Sequence, residues 1–376
     1  MADVKQIERE LKRLGGKATI ASPRTLASSN SYSYPTKPKR LLGLDFRSMD
    51  LRGSFLLGKN AVHLREAEFL ICDLREARAK HLDWMQELRS LRLVQFDGDI
   101  KPEFMEFLQR AGRLQHLTFY KSTINERHLS VLQGLSHIES IVFADCDLEP
   151  AAVVEMRRHM PGVVLAYKYE NGRVVKSQLP PAKLPRKAFA DEADKALRRM
   201  HEALAELKPP AANRFNGPIT KDQRADLEKT LGFVLPGEIA AMFNQHCGQP
   251  AEDDQLICLA PFHNPDLMIG TFRFQLSFGW GEYFWSNYRD TTGSYHRLLL
   301  PFMGADVVGV HINLLTGQVV ETGEYGGSLI ASSVHAFLDR ITTEIKAGRF
   351  TRSGNRIDLK AHVSDLRDKT CPDFSA

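Results

Sequence analysis

Apolar residues in the first half of the chain recur with a period of about 24 residues, each time within the same short pattern. The pattern is L-x-x-L-x-L-x-x-N/C-x-L, whose alternating apolar positions predict a strand that is followed by a covering helix. It fits five times between residues 41 and 148, and a degenerate sixth strand follows. The equivalent central strand positions are Phe46, Phe69, Leu93, Phe119, Phe143 and Tyr167.

Residues 41–167 therefore resemble the leucine-rich repeat family, although the asparagine of the template is missing from every copy. The resemblance implies an α/β solenoid, in which stacked units bury apolar faces that no unit can bury alone. Cys72 and Cys146 occupy the small polar position of the template, where we expect structural thiols. The outward strand face could bind a protein or simply be solvated. Its positions are Asp45, Arg47, Glu68, Arg92, Val94, Thr118, Tyr120, Val142 and Ala144.

A different pattern begins after residues 171–190, which contain prolines and scattered basic residues and are typical of a linker. Apolar residues three and four apart predict a helix over residues 191–208 and two more helices within residues 222–248. Strand-like runs follow, and a last helix is predicted over SSVHAFLDRITTEIKAG, capped by Ser332 or Ser333. The predicted strands are QLICLAPF, MIGTFRFQLSF, HRLLLPFM, VVGVHINL and QVVETG, with Thr316-Gly317 as a hairpin turn.

The helix pair within residues 222–248 carries clear boundary signals. Thr220 and Gln223 match a capping box at the start of the first helix. Gly232 suits a helix end in the left-handed conformation, and Pro236 suits the first position of the next helix. We expect the apolar residues of the pair to hold both helices on a sheet; they are Leu227, Leu231, Leu235, Ile239, Met242 and Phe243.

Three features of this second half occur together. The first is the L-x-x-x-L-G-x-x-L-P pattern of Leu227 to Pro236, the second is HRLLLPFMGAD leading into VVGVHINLLTGQVV, and the third is the closing helix with Phe337 near its start. Together they resemble the SUKH superfamily, which includes yeast cell-wall-synthesis regulators and many bacterial immunity proteins. The resemblance implies an α+β domain with helices packed on one antiparallel sheet, and a role in neutralising toxins, often nucleases, by direct binding.

The two resemblances divide the chain into five parts. They are an N-terminal helix and connector (1–40), a leucine-rich repeat array (41–170), a linker (171–190), a SUKH-like domain (191–350) and a polar tail (351–376).

Charge is distributed unevenly along the chain. Residues 1–200 hold 34 Lys+Arg against 25 Asp+Glu, a net charge of +9, whereas residues 251–330 hold 3 against 9, a net of −6. An acidic surface does not suit nucleic acid but suits a basic protein partner. We therefore expect a partner-binding surface in this stretch, where the aromatic run FGWGEYFWSNY also lies. Its candidate residues are Glu252, Asp253, Asp254, Asp266, Trp280, Glu282, Trp285 and Asp290.

Motifs for chemistry are missing from the sequence. The five cysteines form no C-x-x-C pair, and there is no H-E-x-x-H, G-x-S-x-G or phosphate-binding loop. We therefore expect no catalysis, cofactor or metal, no nucleic-acid or membrane partner, and a cytoplasmic immunity protein that binds a toxin. One alternative is a regulatory scaffold whose repeats and SUKH-like domain bind different proteins. Another is an enzyme that uses the aromatic segment together with His263, His296 and His311. The oligomeric state is left open.

Overall fold

The chain divides into two compact units, Met1–Pro185 (unit 1) and Arg186–Ala376 (unit 2). We describe each unit by itself from a computed structural model. The residues that the structure describes are 12, 17–21, 40–46, 69–73, 93–101, 105, 108–109, 112, 114–160, 162–171, 173–186, 188–211, 213–249, 256–257, 261–277, 299–305, 308–323, 326–354, 356–360 and 366.

Unit 1 is built on one large sheet. Its strands are β1 (Lys17–Ala21), β2 (Arg40–Phe46), β3 (Phe69–Asp73), β4 (Leu93–Asp97), β5 (His116–Tyr120), β6 (Thr123–Ile124), β7 (Ser140–Ala144), β8 (Asp147–Leu148), β9 (Val163–Glu170) and β10 (Arg173–Ser177). The eight-stranded sheet has the order β1-β2-β3-β4-β5-β7-β9-β10, and β6 and β8 form a separate parallel pair. Pairing is parallel from β2 to β9, but β1 and β10 are antiparallel to their neighbours.

Contacts repeat about every 24 residues in the described part of unit 1. Three backbone N–H groups that follow neighbouring parallel strands donate to a carbonyl of the next strand at 2.8 to 2.9 Å: Gly98 to Tyr120, Lys121 to Ala144 and Asp145 to Tyr167. The rings of Phe119 and Phe143 stack at a centroid distance of 5.5 Å, and the ring of Phe96 meets that of Phe119 at 5.8 Å in a tilted arrangement. Cys146 donates its thiol hydrogen to the Phe119 carbonyl, as expected for a structural thiol. The side chain of Cys72 lies outside the described part.

Two helices, α1 (Glu126–Gln133) and α2 (Pro150–His159), pack against each other in unit 1. Asn125 caps α1, because its side chain accepts from the N–H groups of Arg127 and His128. Leu129 and Leu132 of α1 are buried, as are Val153 and Met156 of α2, so each helix contributes one apolar face to the core.

The predicted fold class, a leucine-rich repeat solenoid followed by an α+β SUKH-like domain, is wrong. The large sheet of unit 1 is mixed because antiparallel strands flank its parallel core. Of the predicted outward positions on β5 and β7, Thr118, Val142 and Ala144 are buried and Tyr120 is half-buried, so most of this strand face is covered. The described residues form mixed and antiparallel sheets with seven helices, and neither a solenoid nor a closed sheet is found among them.

The predicted strand register is also wrong in places. Leu93 pairs with His116 and not with Phe119, whose partner is Phe96. Leu93 and Phe96 are both apolar positions of one strand, and the observed register brings the ring of Phe96 into contact with that of Phe119. Tyr167 pairs with Ala144, one residue away from the predicted partner Phe143. A slip of one residue moves a side chain to the other face of a sheet.

Unit 2 contains five helices and two antiparallel sheets among its described residues. The helices are α3 (Ala190–Glu206), α4 (Lys221–Leu231), α5 (Gly237–Gln245), α6 (Pro265–Ser277) and α7 (Val334–Lys346). The four-stranded sheet follows chain order, with β11 (Leu299–Ala305), β12 (Val308–Asn313), β13 (Val319–Gly323) and β14 (Gly326–Ala331). A hairpin of β15 (Phe350–Ser353) and β16 (Arg356–Leu359) lies within the predicted polar tail and buries Ile357 and Leu359.

The helices of unit 2 pack on one another and on the sheet. Helix α3 contacts α5 and α7, α4 contacts α6, α6 contacts β11, and α7 contacts β14. The Thr220–Gln223 capping box is confirmed, and Gly232 ends α4 with φ of 81°. Pro236 is the residue before α5 and not its first residue. Ser333 caps α7, and Gly317 takes φ of 79° in the turn between β12 and β13.

One predicted strand is a helix in the structure. MIGTFRFQLSF lies within α6, where Met268 and Phe272 are buried four residues apart. The carbonyl of Asn264 accepts from Met268 N–H, and its side chain accepts from Leu267 N–H, which satisfies the first turn. The predicted strand QLICLAPF is not a regular strand in its described residues. Two isolated β-bridges join it to other segments, Ile257 with Leu359 and Phe262 with Met303.

Candidate functional site

Of the eight residues predicted to form the binding surface, one lies in the described part of the chain. Asp266 lies in the first turn of α6 and is exposed. The other seven predicted residues lie outside the described part of the chain; they are Glu252, Asp253, Asp254, Trp280, Glu282, Trp285 and Asp290. Asp266 and the described residues around it therefore define the candidate site.

Helix α6 presents an outward face beside Asp266. Met268 and Phe272 point into the core, where Phe272 meets the ring of Phe233 at 5.7 Å, whereas Asp266, Leu267 and Gly270 are exposed. Leu267 is 43% exposed, the large apolar side chain most open to solvent among the described residues. A Cβ placed on Gly270, one turn further on, would meet no atom within 4 Å. Asp266, Leu267 and Gly270 form what we call the α6 face, an exposed surface that combines an acidic and an apolar side chain.

The charge around the α6 face differs from that of unit 1. By sequence, unit 1 carries 29 Lys+Arg and 22 Asp+Glu, a net charge of +7, whereas unit 2 carries 21 and 24, a net of −3. The negative charge of unit 2 is concentrated in residues 251–330, which include all of α6. Such an arrangement attracts a cationic partner over a range of about 8 Å at physiological ionic strength.

A cluster of aromatic and histidine side chains lies inside unit 2. The ring of His246, which follows α5, lies 5.1 Å from the ring of His201 on α3 and 4.5 Å from that of Phe215. Phe262 lies 6.0 Å from both His246 and Phe215. His246 is only 4% exposed, and neither of its ring nitrogens has a hydrogen-bond partner among the described residues. Sequence reasoning did not select His201 or His246, because separate elements bring them together.

Two of the histidines named for the enzyme hypothesis are also buried. The Nε2 atom of His263 lies 2.9 Å from the Gly304 carbonyl oxygen. His311 is buried on β12, between β11 and β13. Burial, with the charge of His263, lowers the pKa of His311 to about 3. His296 lies outside the described residues.

These histidines are poorly placed for acid–base chemistry near neutral pH. Burial lowers the pKa values of His201 and His263, and burial together with the charge of His201 lowers the pKa of His246 to about 3. Efficient general bases titrate near the working pH and reach their substrate. Burial also raises the pKa of the Cys247 thiol. Among the described residues, no three or more His, Cys, Asp or Glu side chains come together in a group that could hold a metal ion.

No known family model matches this chain, and no curated protein matches it significantly in sequence. Within the described ranges, none of the helices has both the length and the apolar character needed to cross a membrane.

Proposed function

We propose that this chain is a non-catalytic protein-binding protein, and that unit 2 binds a basic protein partner through the α6 face and the acidic aromatic stretch after it. The observation that carries the proposal is that the neighbouring residues Asp266 and Leu267 are both exposed, in a stretch of net charge −6. A charged group beside an exposed apolar side chain suits a binding surface, because charge steers the encounter and apolar burial retains the complex.

The kind of partner follows from the charge and from the family resemblance. A toxin that cleaves nucleic acid must present cations to phosphate groups, and an acidic protein surface can occupy the same cations. The SUKH-like sequence features favour an immunity protein that neutralises such a toxin by direct binding. The burial of His246, His263 and His311 and the half-burial of His201 support a non-catalytic role.

The test is binding of the full chain to the protein encoded by a neighbouring gene. We expect Asp266→Lys to lower the association rate and to weaken its dependence on salt, because a rim charge acts mainly on encounter. Asp222→Lys is the matched control, since Asp222 is also an exposed acid in a first helical turn but lies on α4. Equal association rates for the two variants would contradict a role of the α6 face, and binding by unit 1 alone would contradict the proposal.

A second candidate, a scaffold whose two units bind different proteins, is favoured by the opposite net charges of the units, +7 and −3. It predicts that an acidic protein and a basic protein bind the full chain at once. Competition between the two for the chain would exclude it.

A further inference from the structure

Four histidines from separate parts of unit 2 form two pairs; His246, His263 and His311 are buried, and His201 is half-buried. His201 from α3 meets His246, which follows α5, and His263, from the segment before α6, acts on His311 of β12. The surroundings of His246 are mainly aromatic, with Phe215 and Phe262 against its ring. A proton added to His246 would place a cation in a buried site where neither ring nitrogen has a hydrogen-bond partner among the described residues.

The groups that face His246 offer no compensating negative charge among the described residues. Around His246, α3 presents His201, the loop before α4 presents Phe215, and the segment before α6 presents Phe262. Cys247 is its chain neighbour, and its thiol is neutral because burial raises the pKa.

Around His311, the paired residues are Pro301 on β11 and Val320 on β13, and the ionisable neighbour is His263. A second protonated histidine would repel the first in either pair.

The buried histidines of unit 1 have a different environment. His116 Nδ1 lies 2.9 Å from the hydroxyl oxygen of Ser140 on the neighbouring strand. His128 bonds the Ile100 carbonyl through Nε2 and accepts from Asn125 N–H through Nδ1. Their polar atoms are therefore paired, whereas His246 in unit 2 has an apolar, aromatic setting.

We propose that the His201–His246 and His263–His311 pairs act as an acid-sensitive lock, which keeps unit 2 closed while they are neutral and opens it when they are protonated. A buried histidine whose charged form is disfavoured takes up its proton more readily in the open chain. Stability is therefore fully present above the unfolded-state pKa of 6.5 and falls as the pH drops below that value, until the folded-state pKa is reached. This property concerns the unit itself and does not depend on the proposed partner.

The size of the effect follows from proton linkage. For a histidine with pKa 6.5 when open and about 3 when closed, the opening constant rises about tenfold between pH 7.5 and pH 5.5. His246 and His311 together give a rise of about a hundredfold, and His201 and His263 act in the same direction.

Hydrogen exchange of the full chain at pH 7.5 and 5.5, corrected for intrinsic exchange rates and read by mass spectrometry, measures opening in each unit. We expect the opening constant of peptides from α5 and β12 to rise at least about a hundredfold at pH 5.5, and peptides from β5 and β7 to rise much less. An equal rise in both units, or no rise in unit 2, would overturn the proposal.

His246→Leu tests the mechanism, since it removes the titrating ring without breaking a hydrogen bond seen among the described residues. The rise for unit 2 should shrink by about tenfold in this variant, while His159→Gln, at an exposed position of α2, should leave it unchanged. A rise that stays the same in His246→Leu would refute the lock. Should that variant not fold, an NMR titration of the wild-type imidazole signals decides, because a His246 signal that titrates near pH 6.5 in the closed state would refute it equally.

Discussion

Arg186 and Glu238 form a buried ion pair joined by two hydrogen bonds, 2.8 Å from Nη1 to Oε1 and 3.1 Å from Nη2 to Oε2. Their side chains are 8% and 1% exposed. Arg186 Nε also donates to the Leu314 carbonyl, and Phe189 N–H donates to Glu238. The pair thus ties the first residue of unit 2 to α5 and to the turn between β12 and β13. Burial alone would raise the pKa of Glu238, but the hydrogen bonds and charge of Arg186 lower it below its ordinary value.

Arg186→Met should destabilise unit 2 by about 3–5 kcal/mol, because it leaves the Glu238 carboxylate buried without its cation. Urea unfolding near neutral pH measures the change. Arg199→Met is the control, since Arg199 forms a similar two-oxygen pair with Asp339 at a site where both side chains are over 40% exposed. That change should be about 0–1 kcal/mol. Similar losses in the two variants would contradict the importance of burial.

Replacing both partners, as Arg186→Met with Glu238→Leu, should recover much of the stability lost in the single variant. A buried ion pair replaced by apolar side chains of similar volume leaves no uncompensated charge. The same unfolding experiment compares the two. No recovery would mean that the hydrogen bonds to Leu314 and Phe189 matter more than the charge.

Gly317→Ala should destabilise unit 2 by two separate effects. Its φ of 79° disfavours any residue with a Cβ, by about 1–2 kcal/mol, and the new Cβ would lie 2.7 Å from Arg186 Nη1. Gly348→Ala separates the backbone effect from the steric one, because Gly348 has φ of 70° but no atom within 4 Å of the added Cβ. Thermal unfolding should therefore show a larger loss for Gly317→Ala. Equal losses would indicate that Arg186 moves aside freely.

Phe119→Leu should destabilise unit 1 more than Phe143→Leu. Both rings are fully buried, but Phe119 lies between the rings of Phe96 and Phe143, while Phe143 has one of these partners. Each aromatic pair adds about 0.5–1.5 kcal/mol beyond area burial, so the two variants should differ by about 1 kcal/mol in urea unfolding. The opposite order would argue against the contact of Phe96 with Phe119 as the source of the register between β4 and β5.

Leu267→Ser should leave stability within about 0.5 kcal/mol of wild type, because the side chain is largely in solvent. If the α6 face binds the partner, the same change should speed dissociation, since an apolar side chain buried at a binding surface stabilises the complex. Calorimetric unfolding and binding kinetics test the two halves separately. Unchanged kinetics would remove Leu267 from the proposed surface.

Local signals in the sequence were sufficient for several features. The Thr220–Gln223 box, the left-handed Gly232 and the Ser333 cap all act within four residues, and each is found where it was expected. The short range explains this success, because the same few residues supply both the signal and the hydrogen bonds.

Longer-range relationships could not be derived in the same way. The residues of α6 have an apolar content that suits a strand or a helix, and packing of Phe272 on Phe233 accompanies the helix. The histidine cluster of unit 2 likewise depends on residues from different elements. His201 and His246 meet through the packing of α3 on α5, although nothing near either residue signals the other.

By itself, the sequence determined the charge division, the repeat period of the first half, both ends of α4 and the start of α7, because these depend on composition and on neighbours along the chain. Only the tertiary structure decided the mixed sheet, the pairing of Phe96 with Phe119 and the ion pair of Arg186 with Glu238, which are 52 residues apart. Such contacts arise when whole elements pack, and many pairings of apolar and charged residues remain compatible with one sequence until packing selects among them.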